Sequence, residues 1–158
     1  IFALTLLLAG LAFLLPAQAI TEQNWLNHPA IKEIRAIFSD TEQAVSARRL
    51  IQLHLTGEDI QAWGLDAGHV RKLSVQRGSD DSAMLFDHYY DPAGTLRFAF
   101  VRANAVNGTR VEYRIYFDER GQRIWSKRQQ AAGPGYPFPD EIPDDWLLAD
   151  PQALIERD

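Results

Sequence analysis

The sequence predicts an α+β fold, in which an N-terminal helical segment packs on a five-stranded antiparallel β-meander. Apolar residues recur at helical spacing between residues 24 and 55, and short segments rich in β-branched and aromatic residues follow between residues 70 and 128. Helical and strand patterns do not alternate, which disfavours a doubly wound parallel sheet. Residues 133–158 are acidic and begin with a Pro-rich stretch, so we expect an extended C-terminal tail.

The helical segment begins with a recognisable start signal. Pro29 suits the first turn of a helix, with Asn27 or His28 as its cap. An apolar stripe then follows at helical spacing: Ile31, Ile34, Ile37 and Phe38. Residues 39–42 match the capping box, which predicts a second helix from about Asp40. A single long helix with a kink at Ser39 is the alternative.

Five strands are expected, at residues 70–77, 83–90, 95–105, 109–117 and 122–128. The segment before them, residues 56–68, is interrupted by glycines and is expected to be a connector with a short turn. Asp91-Pro-Ala-Gly and Asp118-Glu-Arg-Gly each predict a type I turn closed by a left-handed glycine. Asn107-Gly108 predicts a two-residue type I′ turn.

These turns set the register of the strands, and the register assigns side chains to faces. The face expected to form the core beneath the helices collects Met84, Phe86, His88, Tyr90, Leu96, Phe98, Phe100, Tyr113, Ile115, Phe117 and Trp125. The opposite face is expected to be solvated and collects Leu85, Asp87, Tyr89, Arg97, Ala99, Val101, Glu112, Arg114, Tyr116 and Ile124.

The N-terminal segment, residues 1–19, has no charged residue and ends with small residues at Ala17 and Ala19. This pattern predicts a signal peptide that is cleaved before Ile20, of which the sequence contains the later part. A retained membrane anchor is the alternative. After cleavage, residues 20–158 would form a single domain without a membrane span.

The composition favours a bacterial periplasmic or secreted location. The chain has 0 cysteines, which excludes disulfides, thiolate metal ligands and a lipid-modified cysteine. Charge is unevenly placed, because residues 97–128 hold eight basic and three acidic side chains, whereas residues 133–158 hold seven acidic and one basic. Either the tail pairs with the basic strands, or the strands present a basic surface to an anionic partner.

No residue pattern indicates catalysis, and the sequence favours a protein that is not an enzyme. The histidines, His28, His54, His69 and His88, lack metal-ligand spacing, so we expect neither a metal nor a cofactor. His88 is expected to be a hydrogen-bonded core residue. No serine stands in a nucleophile-elbow motif.

The expected binding site is a cluster on the solvated face: Tyr89, Arg97, Glu112, Arg114 and Tyr116. Tyr and Arg are enriched at binding hot spots. We therefore predict a non-enzymatic periplasmic or secreted binding module, whose partner is a protein or an anionic envelope component and not a nucleic acid. The alternative is a small envelope hydrolase or an inhibitor-like accessory protein, with a site between helix and sheet. The sequence does not indicate an oligomeric state.

Overall fold

A computed structural model describes residues 18–53, 59–65 and 68–155 of the 158-residue chain. One long helix packs on an antiparallel sheet, so the predicted α+β class is confirmed. The sheet is a meander of seven strands in chain order, and the prediction of five was wrong. The proposed signal segment up to residue 17 lies outside the described residues.

The long helix is α1 (Pro29–Ser46), and a short helix, α2 (Gln152–Ile155), lies near the end of the chain. The strands are β1 (Ile51–Leu53), β2 (Ile60–Gly64), β3 (Val70–Gly78), β4 (Ser82–Tyr90), β5 (Leu96–Ala105), β6 (Arg110–Phe117) and β7 (Arg123–Ala132). The five predicted strands correspond to β3 to β7. The two additional strands, β1 and β2, occupy segments that were expected to end the helical region and to form a connector.

The start of α1 agrees with its prediction, but its length does not. Pro29 is the first helical residue, and the Nδ1 atom of His28 accepts a hydrogen bond from the Ala30 N–H at 3.3 Å. The helix continues without a break through Ser39, so the predicted second helix was wrong. The alternative of a single helix is the one observed, because the buried stripe continues to Thr41 on the side facing the sheet.

Helix α1 ends in a Schellman motif that contains an unusual residue. The Arg48 N–H donates to the Val45 carbonyl at 3.0 Å, and the Arg49 N–H donates to the Ala44 carbonyl at 2.8 Å. Arg48 has φ of 55° and is the one non-glycine residue with positive φ among the described residues. Glycine usually occupies this position, since a side chain there costs about 1–2 kcal/mol.

The two Asp-x-x-Gly hairpins form as predicted. Each Asp donates its backbone N–H to the carbonyl four residues later, at 3.0 Å for Asp91 and 2.9 Å for Asp118. Each Asp carboxylate also accepts two backbone N–H groups of its own loop. Gly94 and Gly121 have φ of 83° and 75°, which is the left-handed conformation that the turn requires.

The loop at Asn107 differs from its prediction. The Ala105 N–H donates to the Thr109 carbonyl at 2.9 Å, which leaves three residues in the loop. Gly108 has φ of 86°, whereas Asn107 is not among the residues with positive φ. Because a type I′ turn needs positive φ at both central residues, the predicted two-residue turn was wrong.

A β-bulge in β5 reverses part of the predicted face assignment. Tyr90 pairs with Leu96, as expected, but Tyr89 pairs with Phe98. Arg97 is therefore an extra residue without a partner in the ladder, and every later residue of β5 changes face.

The consequence is an exchange of side chains between the two faces. Phe98 and Phe100 leave the face predicted to be the core, and Ala99 and Val101 take their places. A second irregularity in the pairing of β6 with β7 places Trp125 on the same face as Phe98. The prediction that all these aromatic residues share one face with Ile115 was wrong.

The two faces of the sheet are covered by different parts of the chain. On one face, the tail side, apolar residues of the strands pack against Phe138, Ile142 and Leu147. On the other face, the helix side, Ile31 and Ile34 of α1 pack against a row of three aromatic side chains, Tyr89, Phe98 and Tyr116. The helix was predicted to cover the first face, and this was wrong.

The acidic tail pairs with the basic strands, as one of the two charge predictions required. Arg123 on β7 contacts Glu141 at 2.6 Å and Asp144 at 2.5 Å. The same guanidinium donates to the Ile142 carbonyl at 2.6 Å. These bonds hold the tail against β7 beside the apolar contacts of the tail side.

Candidate functional site

Three of the five predicted site residues lie beneath helix α1. Tyr89 and Tyr116 are each 2% exposed and Arg97 is 5% exposed, so their assignment to a solvated face was wrong. Glu112 and Arg114 are partly exposed and form an ion pair at 2.7 Å. The structure therefore separates the predicted cluster into a buried group and an accessible pair.

Arg97, the bulged residue, connects three elements. Its Nε donates to the Phe117 carbonyl at 3.2 Å, and its terminal nitrogens contact Glu33 of α1 at 3.0 Å and Asp91 at 3.4 Å. All of these partners belong to the same chain. The position of Arg97 is explained by attachment of the helix to the sheet.

Tyr89 is also held by partners within the chain. Its hydroxyl donates to Glu42 of α1 at 2.9 Å, and Lys72 contacts the same carboxylate oxygen at 2.6 Å. The Lys72 ammonium also lies 5.3 Å from the centroids of the Trp63 and Tyr89 rings. Burial raises the pKa of Tyr89 above its ordinary value, so the phenol remains protonated.

Beyond α1, the helix side of the sheet carries partly or fully exposed side chains. Leu85, Arg102, Glu112 and Gln129 are neighbours on four adjacent strands, and Phe100 and Arg114 are neighbours in the next row. These residues form the surface that we call the open patch: Leu85, Phe100, Arg102, Glu112, Arg114 and Gln129.

The centre of the open patch is an aromatic ring between two guanidinium groups. The Cζ atoms of Arg114 and Arg102 lie 5.0 and 5.5 Å from the centroid of the half-buried Phe100 ring. Arg102 also contacts Asp87 at 2.6 Å, and Asp87 accepts a short hydrogen bond from Ser74. Asp87 is 3% exposed, so this ion pair joins a buried carboxylate to an accessible guanidinium.

A cavity of about 490 Å³ lies between the C-terminal half of α1 and the β1–β3 region of the sheet. Its lining includes Arg49 and Arg71, together with Asp40 and Thr41 of the helix. Thr41 is 1% exposed, and its Oγ1 atom is buried without a hydrogen-bond partner among the described residues. The cavity is thus lined by two cationic side chains, whereas the Thr41 hydroxyl is closed off from its open space.

His88 is a core residue, as the sequence predicted. It is 1% exposed, and its Nε2 atom accepts the Leu148 N–H at 3.2 Å. Its Nδ1 therefore carries the proton and donates to the Leu73 carbonyl at 3.1 Å. Burial lowers the pKa of His88 to about 4, so the ring is neutral near pH 7 and both nitrogens are already used.

Within residues 18–53, 59–65 and 68–155, no group of three His, Asp or Glu side chains is close enough to hold a metal ion. The helices of the same part of the chain are too short or too polar to cross a membrane. Comparisons with protein-family models, with curated proteins and with solved structures found no match to this chain. The open patch and the cavity are therefore interpreted from their own chemistry.

The sequence interpretation missed Phe100 and Arg102 as members of the patch. Phe100 was assigned to the core because the β5 bulge was not recognised. The available signal was Arg97 itself, since a basic residue between Leu96 and Phe98 interrupts an apolar run where a bulge can occur.

Proposed function

We propose that the protein is a non-enzymatic binding module that acts in the periplasm or outside the cell, and that the open patch is its binding surface. The observation that supports this proposal is that Arg102 and Arg114 both lie against the Phe100 ring, on the part of the helix side that α1 does not cover. The apolar N-terminal segment and the absence of cysteine support the proposed location.

The patch is held in place before any partner binds. The ion pairs with Asp87 and Glu112 fix the two guanidinium groups against the Phe100 ring. A rigid arginine loses less conformational entropy on binding than a freely rotating one. Arginine and aromatic side chains are also the types that supply most of the binding energy at many protein interfaces.

The charge of this region indicates an acidic partner. Four cationic side chains lie on this end of the helix side, Arg102, Arg110, Arg114 and Lys127, against two carboxylates, Asp87 and Glu112. Lys127 also contacts Glu22 at 2.5 Å, which lowers the excess without removing it. We expect the partner to be a protein with an acidic surface, and an anionic envelope polymer is the other outcome that the experiment distinguishes.

The alternative function, a small hydrolase or an inhibitor-like accessory protein, would need a site between helix and sheet. The cavity described above lies there, but its described lining contains neither histidine nor serine. His88 is hydrogen-bonded inside the core and has no free nitrogen for proton transfer. Arginines suit the binding of an anion better than acyl transfer.

A photoreactive amino acid at Gln129 tests the binding surface. Gln129 is exposed at the edge of the patch, so irradiation in an envelope extract of the producing organism should form a crosslinked product. A discrete band that protease removes indicates a protein, and a heterogeneous protease-resistant product indicates a polymer. Higher salt should lower the yield, because exposed charges are screened within about 8–10 Å at physiological ionic strength.

A matched pair of arginine variants provides the control. Arg114→Gln removes the guanidinium over Phe100, and Arg77→Gln removes one that lies 5.1 Å from the Phe86 ring on the tail side. The proposal predicts loss of the product in Arg114→Gln alone. Equal yields in both variants, or loss in Arg77→Gln alone, would exclude the open patch.

A further inference from the structure

The cavity between α1 and the β1–β3 region carries a second inference, which is independent of the open patch. It is lined by Asp40, Thr41, Gln43 and Ala44 of the helix and by Arg49, Leu50, Leu65 and Arg71 around it. Its volume of about 490 Å³ is comparable with that of small-molecule sites, which are commonly about 300–1,000 Å³.

The two arginines of the cavity have N–H donors without partners among the residues that the structure describes. Arg71 donates through Nε to the Tyr90 carbonyl at 3.3 Å, and its terminal nitrogens bond to no other described residue. The Arg49 side chain has neither an ion pair nor a hydrogen bond within the described part of the chain. Each guanidinium can therefore present a pair of N–H groups to an oxyanion.

The charge and apolar surface of the lining identify the class of ligand. Among the described residues of the lining, two arginines and one aspartate give a charge of +1, which suits a monoanion better than a doubly charged phosphate. Leu50, Leu65 and Ala44 add apolar surface for an aliphatic part. We propose that the cavity binds a small aliphatic carboxylate, whose head group accepts hydrogen bonds from Arg49 and Arg71.

The helix end contributes to this arrangement. Arg48 adopts the left-handed conformation that a glycine would adopt more easily, and this turn leads directly into Arg49. A strained backbone conformation often accompanies a functional position.

The test is a titration of the protein with sodium hexanoate, followed by ¹H–¹⁵N NMR, with hexanol and inorganic phosphate as comparison probes. The proposal predicts saturable shifts at Thr41 and Arg71 with hexanoate and at least about tenfold weaker binding of hexanol, since a charge-assisted bidentate pair is lost. No saturable binding of hexanoate, equal binding of hexanol, or tighter binding of phosphate would each overturn the assignment.

Two variants separate binding from folding. Arg71→Gln should bind hexanoate at least about tenfold more weakly than the control Arg120→Gln, an exposed turn arginine. Thr41→Val should leave the affinity unchanged and raise the melting temperature, because it removes a buried hydroxyl that has no partner among the described residues. Unchanged affinity in Arg71→Gln, or an equal loss of affinity in Arg120→Gln, would contradict the site.

Discussion

Each face of the sheet contains a phenylalanine with an arginine over its ring, and the two pairs have different surroundings. Arg77 lies 5.1 Å from the Phe86 ring on the tail side, and Arg114 lies 5.0 Å from the Phe100 ring on the helix side. Phe86 is 1% exposed within the larger apolar core, whereas Phe100 is half-buried at the margin of α1. The same chemistry therefore stabilises the fold on one face and remains accessible on the other.

The largest expected difference between the faces is in stability. Phe86→Ala should lower the free energy of unfolding by about 3–5 kcal/mol, because it opens a cavity in a closed core. Phe100→Ala should cost about 1–2 kcal/mol, because only part of the ring is removed from water. Urea unfolding of both variants measures the difference, with Phe86→Leu as a milder substitution if Phe86→Ala does not fold.

A cost of Phe100→Ala equal to that of Phe86→Ala would contradict the comparison. It would mean that the open patch is as important for folding as the tail side, and no reason would remain to assign its aromatic ring to binding.

The next largest effect is the pH dependence of stability, which arises from His88 on the tail side. The ordinary histidine pKa is 6.5 and that of His88 in the folded protein is about 4, so the unfolded chain binds a proton that the native ring does not. The contribution of the neutral His88 ring to the free energy of unfolding should be fully present above about pH 6.5. The free energy of unfolding should fall by up to about 3 kcal/mol as the pH approaches 4. Protonation of Nε2 would also remove its bond from the Leu148 N–H.

Urea unfolding between pH 4 and 7 measures this loss, and the variant His88→Gln should lack this part of the pH dependence. A wild-type protein with the same pH profile as His88→Gln would show that the ring does not stay neutral in the core.

The smallest of the three effects is at the ion pair beneath the open patch. Arg102→Ala leaves the buried Asp87 with Ser74 as its hydrogen-bond partner. Because Arg102 is 46% exposed and solvent screens the pair, we expect a loss of about 1–2 kcal/mol. Unfolding of Arg102→Ala measured against Arg114→Gln gives the comparison, since the Arg114–Glu112 pair is worth only about 0–1 kcal/mol. Equal losses of unfolding free energy in the two variants would show that leaving the buried Asp87 carboxylate without its arginine partner has no additional cost.

Local turn chemistry allowed most of the meander to be predicted from the sequence. The Asp91 and Asp118 loops follow from short-range bonds that Asp and Gly make within a few residues. The bulge at Arg97 depends on Glu33, which is distant in the sequence, and on the Phe117 carbonyl. Arg97 marks a place in β5 where a bulge can occur, but those distant partners are not visible in the local pattern, so the sequence did not distinguish a bulge from a regular strand.

The same distinction between local and long-range contacts explains which residues of the candidate site were predicted correctly. Arg114 and Glu112 were identified because they alternate along one strand, whereas the burial of Tyr89 and Tyr116 depends on where α1 crosses the sheet. Ser39 shows the limit of local motifs within the helix, since its capping box was overridden by the packing of α1 on the sheet.

The most direct test of the central claim measures stability and binding in one variant. Phe100→Ala/Arg114→Gln, carrying the photoreactive residue at position 129, removes the centre of the open patch and leaves the tail side unchanged. The account predicts a native fold, a loss of about 1–3 kcal/mol in unfolding free energy, and no crosslinked product. A folded double variant that still forms the product in full yield would contradict it.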